Sequence, residues 1–339
     1  MTTLTSPHDL LAAIPFLIGY HPTNSLVIVS LKNDCVGMAM RVDYPPSESA
    51  HLMDGYEALA FHLVREGAEG ALIVSYVPDG RNDGEEILGN ISTVLSRAEI
   101  PIRESLLITA GRWRSLLCCD PECCPVGGNE LREIASSRIA VEQVAEGRPM
   151  PFSDREGMAD SISSLSLATD IDFVAAVAKS RIDPECDYLQ RAQREGALAV
   201  LDLASRFIAG SLGRDIAADQ KLSATVLGSL SDIQVRDFAL GSHEDLSLEI
   251  YWSMWRYLTR IAPSGFIAPV ASLLAALSYE KGEGALAQRS LDRALGDDPG
   301  YSLAALLRRV FSAGWPPESF AAMRRDLHPK VCAGIFEQQ

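Results

Sequence analysis

The chain has 339 residues, of which 47% are apolar and 22% charged, a composition typical of a globular protein that is long enough for two domains. Its net charge of −15 is spread over the chain, with −9 in residues 1–150 and −6 in the rest, and neither half contains a basic run. Nucleic acids and anionic membranes are bound through clustered Lys and Arg side chains. We therefore expect neither of them as a partner.

The sequence also predicts a compartment. The N-terminus has no basic leader, and Asp9 and Pro15 interrupt its apolar stretch, so it does not resemble an export signal. No segment approaches the roughly 18 uninterrupted apolar residues of a membrane helix. We therefore expect a cytoplasmic protein, in which thiols are normally kept reduced.

Residues 1–150 predict a mixed α/β domain. Ser6 and Pro7 mark the start of a short helix, which we expect to end near Pro15. The run SLVIVSL and the alternating residues after it predict a β-hairpin over residues 25–42, with a turn at Lys32-Asn33-Asp34. The elements predicted next are a helix over 51–66, a strand over 71–77, a helix over 85–97, a strand over 105–109, a short strand across 112–117 and a helix near 130–146. This order predicts a mixed sheet with helices packed against it, and a domain boundary at 147–151.

Residues 151–339 predict a second domain that is all-helical. The helical stripes cover 154–162, 170–194, 196–210, 215–228, 245–260, 266–279, 283–296, 301–313 and 317–326. In the stripe at 245–260, Tyr251, Trp252 and Trp255 form a wide aromatic face, which we interpret as core.

One helical pair in this second half resembles a tetratricopeptide repeat. Its small residues and final proline follow the spacing of that repeat, at Ala275, Gly282, Ala287, Ala294 and Pro299. The pattern runs for one unit only, and stable arrays need about three. A repeat-type binding groove and a generic helical hairpin are both compatible with it.

Four stretches of the chain resemble one bacterial family. They are LLAAIPFLIGYHPTNSLVIVSL, RVDYP at 41–45, RWRSLLCCDPECCPVGG at 112–128 and GEGALAQRSLDRALGDDPGYSLAALL. In this order they are similar to the DUF4192 family, a domain of unknown function found in high-GC Gram-positive bacteria. The family pattern Cys-x-Asp-Pro-x-Cys-Cys-Pro falls on residues 118–125, with Cys119 at a variable position. The family has no assigned activity, so the resemblance implies a fold and a compartment and leaves function open.

The cysteine loop admits three interpretations. Cys118, Cys123 and Cys124 can supply three thiolates to zinc, with a fourth ligand from a distant His or from water. Against this, zinc sites usually contain two Cys-x₂–₄-Cys pairs, and adjacent cysteines are expected to point apart. Alternatively, Cys118 forms a disulfide with Cys123 or Cys124, and Arg112 and Arg114 lower a thiol pKa. In the third interpretation the thiols pack as small apolar side chains around a turn.

A second candidate site is the polar turn Gly19–Ser25, between a helix and a buried strand. Its His21 can act as a base or a ligand. Arg41 and Asp43, at the far end of the hairpin, can meet an anion or pair with each other. The alternative is that His21 belongs to ordinary turn chemistry and Arg41 is a solvated strand residue.

Familiar catalytic motifs are missing from the sequence. It has no phosphate-binding P-loop, no H-E-x-x-H and no G-x-S-x-G, which favours a protein that is not an enzyme. The first hypothesis is an interaction or scaffold protein that binds another protein through an apolar groove or patch of its helical domain. The alternative is a metal- or redox-dependent protein or enzyme, with zinc as the candidate cofactor. Its site would use the Cys118–Cys124 loop together with His21 and Arg41, which requires Cys118, Cys123 and His21 to lie close together.

Overall fold

A computed structural model of the chain describes residues 3–33, 35–46 and 52–337, so Asp34 of the predicted turn and His51 of the predicted helix lie outside the described residues. The chain forms two compact units, Met1–Met158 and Ala159–Gln339.

The division between the units lies after the predicted boundary at 147–151, because residues just beyond it are held to the first unit. The Phe152 backbone N–H donates to the Gly19 carbonyl at 2.9 Å, and the His21 N–H donates to the Phe152 carbonyl at 3.0 Å. The Met158 side chain is buried.

The first unit is built on a six-stranded mixed sheet. Its elements in chain order are α1 Pro7–Ile18, β1 Ser25–Lys32, β2 Cys35–Asp43, α2 Leu52–Glu66, β3 Gly70–Tyr76, α3 Gly84–Arg97, β4 Ile102–Thr109, β5 Arg112–Ser115, β6 Asn129–Glu130, α4 Arg138–Ala145 and α5 Arg155–Asp160, the last of which runs across the division. The strand order is β2-β1-β3-β4-β5-β6, with β3 and β4 parallel and the other neighbouring pairs antiparallel. The predicted hairpin and mixed sheet are therefore confirmed.

The core of this unit explains why β1 and β3 read as continuous apolar runs. Leu26 and Ile28 of β1 pack with Ile73 of β3 and with Leu63 and Leu88 of the covering helices. The intervening β1 residues, on the opposite face of the sheet, are buried as well. Both strands are thus covered on two sides, and the alternation of apolar and polar residues disappears.

Two predicted helices of this unit have different limits in the structure. α1 continues through Pro15 to Ile18 and ends at Gly19, which has a left-handed φ of 88° and donates its N–H to the Pro15 carbonyl at 2.8 Å. Burial of Ile14 and Ile18 offsets the hydrogen bond that the proline removes. The predicted helix near 130–146 is shorter in the structure, where α4 begins at Arg138. Residues 129–130 pair with β5 instead, and the Ser137 side chain caps the first turn of α4.

All the regular secondary structure in the described residues of the second unit is helical, which confirms the predicted architecture. A 3₁₀ turn at Ser166–Thr169 precedes α6 Ile171–Lys179, α7 Leu189–Ile208, α8 Ile216–Ser229, α9 Ile233–Gly241, α10 Leu248–Ile261, α11 Ile267–Glu280, α12 Gly284–Asp297, α13 Ser302–Ser312 and α14 Pro317–Phe336. No helix in the described part of the chain combines the length and the apolar character needed to cross a membrane.

The predicted division of residues 170–210 is wrong. The expected helix at 170–194 is interrupted between α6 and α7, where Pro184 lacks a backbone N–H. The expected break before residue 196 does not occur, because Gly196 lies inside α7 and allows close packing. A Cβ at position 196 would lie only 2.8 Å from the Ser229 Cβ of α8.

Helices α11 and α12 are the pair with tetratricopeptide-like spacing. Ala275, Ala287 and Ala294 are fully buried, and Gly282 has a positive φ of 80° in the turn between the helices. The Asp297 carboxylate at the end of α12 accepts hydrogen bonds from backbone N–H groups at the start of α11, which include Ile267 at 2.9 Å. These contacts fit any close helical hairpin, so assignment to the repeat stays a prediction.

Gly228 is the glycine of α8 whose replacement we expect to destabilise the second unit. A Cβ there would lie 2.5 Å from the Val177 carbonyl oxygen and 2.6 Å from the Ser180 carbonyl carbon. Both are backbone atoms, which cannot rotate away. We expect Gly228→Ala to lower the free energy of unfolding by about 1–3 kcal/mol, measured by urea denaturation.

Gly296 provides the matched control for that substitution. It also lies within a helix of the second unit, but it is exposed and nothing approaches the position of its Cβ within 4 Å. We expect Gly296→Ala to leave stability unchanged or raise it by up to about 1 kcal/mol. Equal losses in both variants would contradict the packing argument.

Candidate metal centre in the cysteine loop

The cysteine loop connects the last two strands of the sheet. It starts after β5 and returns to β6, whose Asn129 and Glu130 pair with Trp113 and Arg112. The two strands thus hold both ends of residues 116–128 close together. The loop itself contains no helix or strand, and its form depends on individual hydrogen bonds.

Asp120 sets the turn that carries two of the cysteines. Its carboxylate accepts a hydrogen bond from the Glu122 N–H at 2.9 Å, and its carbonyl accepts one from the Cys124 N–H at 2.8 Å. The Asn129 side-chain amide donates to the Cys123 carbonyl at 2.8 Å. Both ends of the turn are therefore fixed by polar contacts.

Ser115 supports the other side of the loop. Its hydroxyl oxygen accepts hydrogen bonds from the backbone N–H groups of Leu117 and Cys118, each at 3.1 Å. The same hydroxyl donates to the Glu104 carboxylate at 2.6 Å. No sequence motif indicates this buried serine, whose hydrogen bond fixes the backbone of Cys118.

Three thiols converge inside this framework. The sulfur atoms of Cys118, Cys123 and Cys124 lie within 4.8 Å of one another, and those of Cys123 and Cys124 are 4.0 Å apart. Tetrahedral zinc with Zn–S bonds of about 2.3 Å places sulfur ligands about 3.8 Å apart. Shifts of about 1 Å or less would therefore bring all three onto one ion.

The expectation that the adjacent cysteines point apart is wrong. Cys123 and Cys124 follow the turn at Asp120, and the bend of the backbone there turns both side chains toward Cys118. Cys119 is exposed and does not belong to the convergent group. All seven cysteines of the chain lie within the described residues as free thiols.

The arginines near the loop do not activate Cys123. Arg112 donates to the carbonyls of Gly127 and Gly128, at 2.6 and 2.7 Å, and Arg114 forms an ion pair with Glu85. Hydrogen bonding with the neighbouring thiols, first Cys124 and then Cys118, raises the pKa of Cys123 to about 11. The predicted lowering of a thiol pKa is therefore wrong for Cys123.

His21 and Arg41 lie in a different part of the sheet. His21 precedes β1, and Arg41 lies in β2, where it forms an ion pair with Asp43. With strands spaced about 4.8 Å apart, β1 is about 14 Å from β5 across the sheet. The structure therefore does not bring either residue to the thiols, and a catalytic role for them stays a prediction.

The turn before β1 has its own local contacts. The His21 backbone is bound to Phe152, and burial lowers the pKa of its imidazole. The Arg41 guanidinium also approaches the Thr23 carbonyl at 3.4 Å. Of the two uses considered for Arg41 and Asp43, the structure shows the mutual pairing.

A polar cleft of about 380 Å³ adjoins the cysteine loop. It lies between α3 and β5, and Cys118 is one of its lining residues. Ser105, Ser115 and Arg114 provide polar groups on its wall. No sequence signal indicated this cleft, because it arises where a helix packs across two strands.

Replacing Ser115 by alanine tests the support that this side chain gives to the candidate metal centre, because it removes none of the three thiols. The variant loses the acceptor for the Cys118 N–H and leaves the Glu104 carboxylate without that hydrogen bond. Supporting contacts of this kind are typically worth about 10–100-fold in metal affinity, which we expect a zinc competition titration to show. Ser96→Ala, on the exposed surface of α3, is the control, and equal affinities in the two variants would contradict the role of Ser115.

Comparison with known proteins places the whole arrangement in a family. No curated protein and no solved structure matches the chain. The family model described as Domain of unknown function (DUF4192) matches residues 7–318, which cover most of each unit and the whole cysteine loop. The chain therefore belongs to the DUF4192 family.

Proposed function

We propose that this protein binds a zinc ion through the thiolates of Cys118, Cys123 and Cys124. The observation that carries the proposal is the convergence of the three sulfur atoms within 4.8 Å. A disulfide needs two thiols, and packing of small apolar side chains needs no convergence at all. Three converging sulfur donors match the ligand type and spacing of a zinc–thiolate site.

The ion would tie the start of the loop to its central turn. Cys118 lies three residues after the end of β5, whereas Cys123 and Cys124 belong to the turn at Asp120. A shared ion would join these two parts, which lack a common strand or helix. The proposed site also needs reduced thiols, which supports a cytoplasmic location.

Metal analysis of the purified full-length chain tests this proposal. The protein is prepared with a phosphine reductant and without chelators, and zinc and thiols are counted in the same sample. We expect one zinc per chain, and we expect three thiols to become reactive when a chelator removes it. A metal-free protein that does not take up added zinc would overturn the proposal.

A second candidate function is protein binding through the helical unit. It is supported by Leu198, Leu201 and Ile208, which are exposed on α7 and fall within a sector of about 80° at 100° per residue. An apolar stripe of this kind is a common feature of binding surfaces. The test first compares the proteins that are crosslinked to the wild-type chain with those crosslinked to Leu201→Asp. A partner found in this way is then purified, and its binding to each of the two chains is measured. Equal binding by both chains would remove this candidate.

A further inference from the structure

We infer that the zinc ion of this loop keeps one coordination position for an external thiol, and that the cleft beside Cys118 binds a small zwitterionic thiol of the size of free cysteine. This inference rests on the proposed zinc site and adds its ligand. It joins three features of the first unit: the number of sulfur donors, the position of the cleft and the ion pair on its wall.

Three sulfur donors are one fewer than the four ligands that zinc usually has in proteins. Among the described residues, no fourth His, Cys, Asp or Glu joins the group formed by Cys118, Cys123 and Cys124. Zinc in proteins is usually four-coordinate, and sites with three protein ligands complete their shell with water or substrate. The fourth position of an ion bound here is therefore available to a molecule from solution.

Cys118 connects that position with the cleft. Its thiol belongs to the metal-binding group, and the same residue lines the space between α3 and β5. The cleft volume of about 380 Å³ leaves room for a molecule of the size of free cysteine. A ligand in the cleft would thus have one end beside the metal.

The charged side chains on the wall of the cleft indicate that its ligand is a zwitterion. Arg114 and Glu85 line the cleft and form an ion pair with each other, and both side chains are partly exposed. Exposed ion pairs contribute little to stability, so a ligand can replace each partner at small cost. A ligand carboxylate would bind the planar Arg114 guanidinium, and a ligand ammonium group would bind Glu85.

We expect the ligand atom that coordinates the zinc ion to be sulfur. Thiolate ligands favour soft and borderline ions, and such an ion readily accepts a further thiolate. On binding, the external thiol would replace a water molecule in the zinc shell, and the thiol proton would pass to solvent, because zinc deprotonates a coordinating thiol. No oxidant or reductant takes part, and no bond within the ligand is broken.

The test uses the full-length chain loaded with Co²⁺ in place of Zn²⁺ and titrated with L-cysteine. The sulfur-to-cobalt charge-transfer absorption reports the number of thiolates, and we expect it to rise by about one third as three become four. L-Serine lacks the thiol and should give no change. Cysteamine and 3-mercaptopropionate each lack one charged group and should bind at least about tenfold more weakly.

The variant Arg114→Gln tests the cleft directly. We expect it to bind Co²⁺ like the wild type and to bind L-cysteine about tenfold more weakly or worse. Arg97→Gln is the control, because it removes an exposed positive charge from the same helix, α3, that carries Glu85. Equal L-cysteine affinity in the two variants would overturn the assignment of the cleft.

The outcomes separate this inference from the proposed function. Absence of any cobalt–thiolate absorption would overturn the zinc site itself. Three-thiolate absorption that does not respond to L-cysteine would overturn the inference alone, as would a four-thiolate spectrum before any thiol is added. Release of cobalt from the protein during the titration, measured after gel filtration, would also overturn it.

Discussion

Cys123→Ser is expected to abolish the proposed zinc binding at micromolar metal concentrations. Cys123 supplies one of the three converging sulfur atoms, and a serine hydroxyl is a far weaker ligand for zinc at pH 7. Loss of a supporting hydrogen bond typically costs about 10–100-fold in affinity, and loss of a ligand should cost more than that. A competition titration with a chromophoric chelator measures the difference.

Cys119→Ser is the matched control for this experiment. Cys119 lies in the same loop and has the same chemistry, but its thiol is exposed and outside the convergent group. We expect this variant to bind one zinc with wild-type affinity. If both variants lost zinc to the same extent, the ligand set inferred from the structure would be wrong.

Arg324→Met is expected to destabilise the helical unit by about 3–5 kcal/mol. The Arg324 side chain is buried and donates from Nε to one oxygen of the Glu280 carboxylate at 2.8 Å. It also donates to the His243 carbonyl at 3.1 Å. Its removal leaves the Glu280 charge buried without its main partner, which costs far more than the loss of a surface ion pair. Urea denaturation of the full-length chain measures the change.

Two variants show whether the buried charge causes that loss. Arg325→Met removes the neighbouring arginine, which is exposed and pairs with Asp245, and we expect a change of about 1 kcal/mol or less. Glu280→Gln in the Arg324→Met background should restore part of the stability, because it removes the unpaired charge. The losses of unfolding free energy in Arg324→Met and in Glu280→Gln are measured separately as well. If the loss in the double variant equalled their sum, the coupling between Glu280 and Arg324 would be refuted.

The same carboxylate predicts a pH dependence of stability. Burial raises the pKa of Glu280, but hydrogen bonds from His243 and Arg324 outweigh burial and hold the pKa below its ordinary value. A group whose pKa is lower in the folded state stabilises the fold above its unfolded-state pKa, about 4.3 for Glu, and this contribution is lost as the pH falls through the folded-state pKa. At pH values below about 4, we expect the unfolding free energy of the wild type to decrease, and that of Glu280→Gln to decrease less.

The sequence pattern predicts those features of the fold that depend on local periodicity. The run at 25–31 is buried on both faces as β1, and the helices of the second unit mostly follow their apolar stripes. The patterns fail where tertiary packing outweighs a local signal. α1 continues through Pro15 because its apolar residues are buried, and Gly196 lies inside α7 because it meets Ser229.

The candidate site was only partly predictable, because it too depends on contacts between residues that are distant in sequence. The types and spacing of Cys118, Cys123 and Cys124 were visible in the sequence, but their convergence depends on the turn at Asp120. The Ser115 support requires Glu104 on the neighbouring strand, so residues distant in sequence create it. No local pattern can report a contact that depends on the pairing of two strands.

X-ray absorption at the zinc edge of the loaded full-length protein, without added thiols, tests the proposed site most directly. The account predicts three sulfur neighbours at about 2.3 Å and one oxygen or nitrogen neighbour at about 2.0–2.1 Å. Cys119→Ser should give the same spectrum, and Cys118→Ser should lose the sulfur shell together with the metal. A shell of four sulfurs, or a shell with one sulfur or none, would contradict the account.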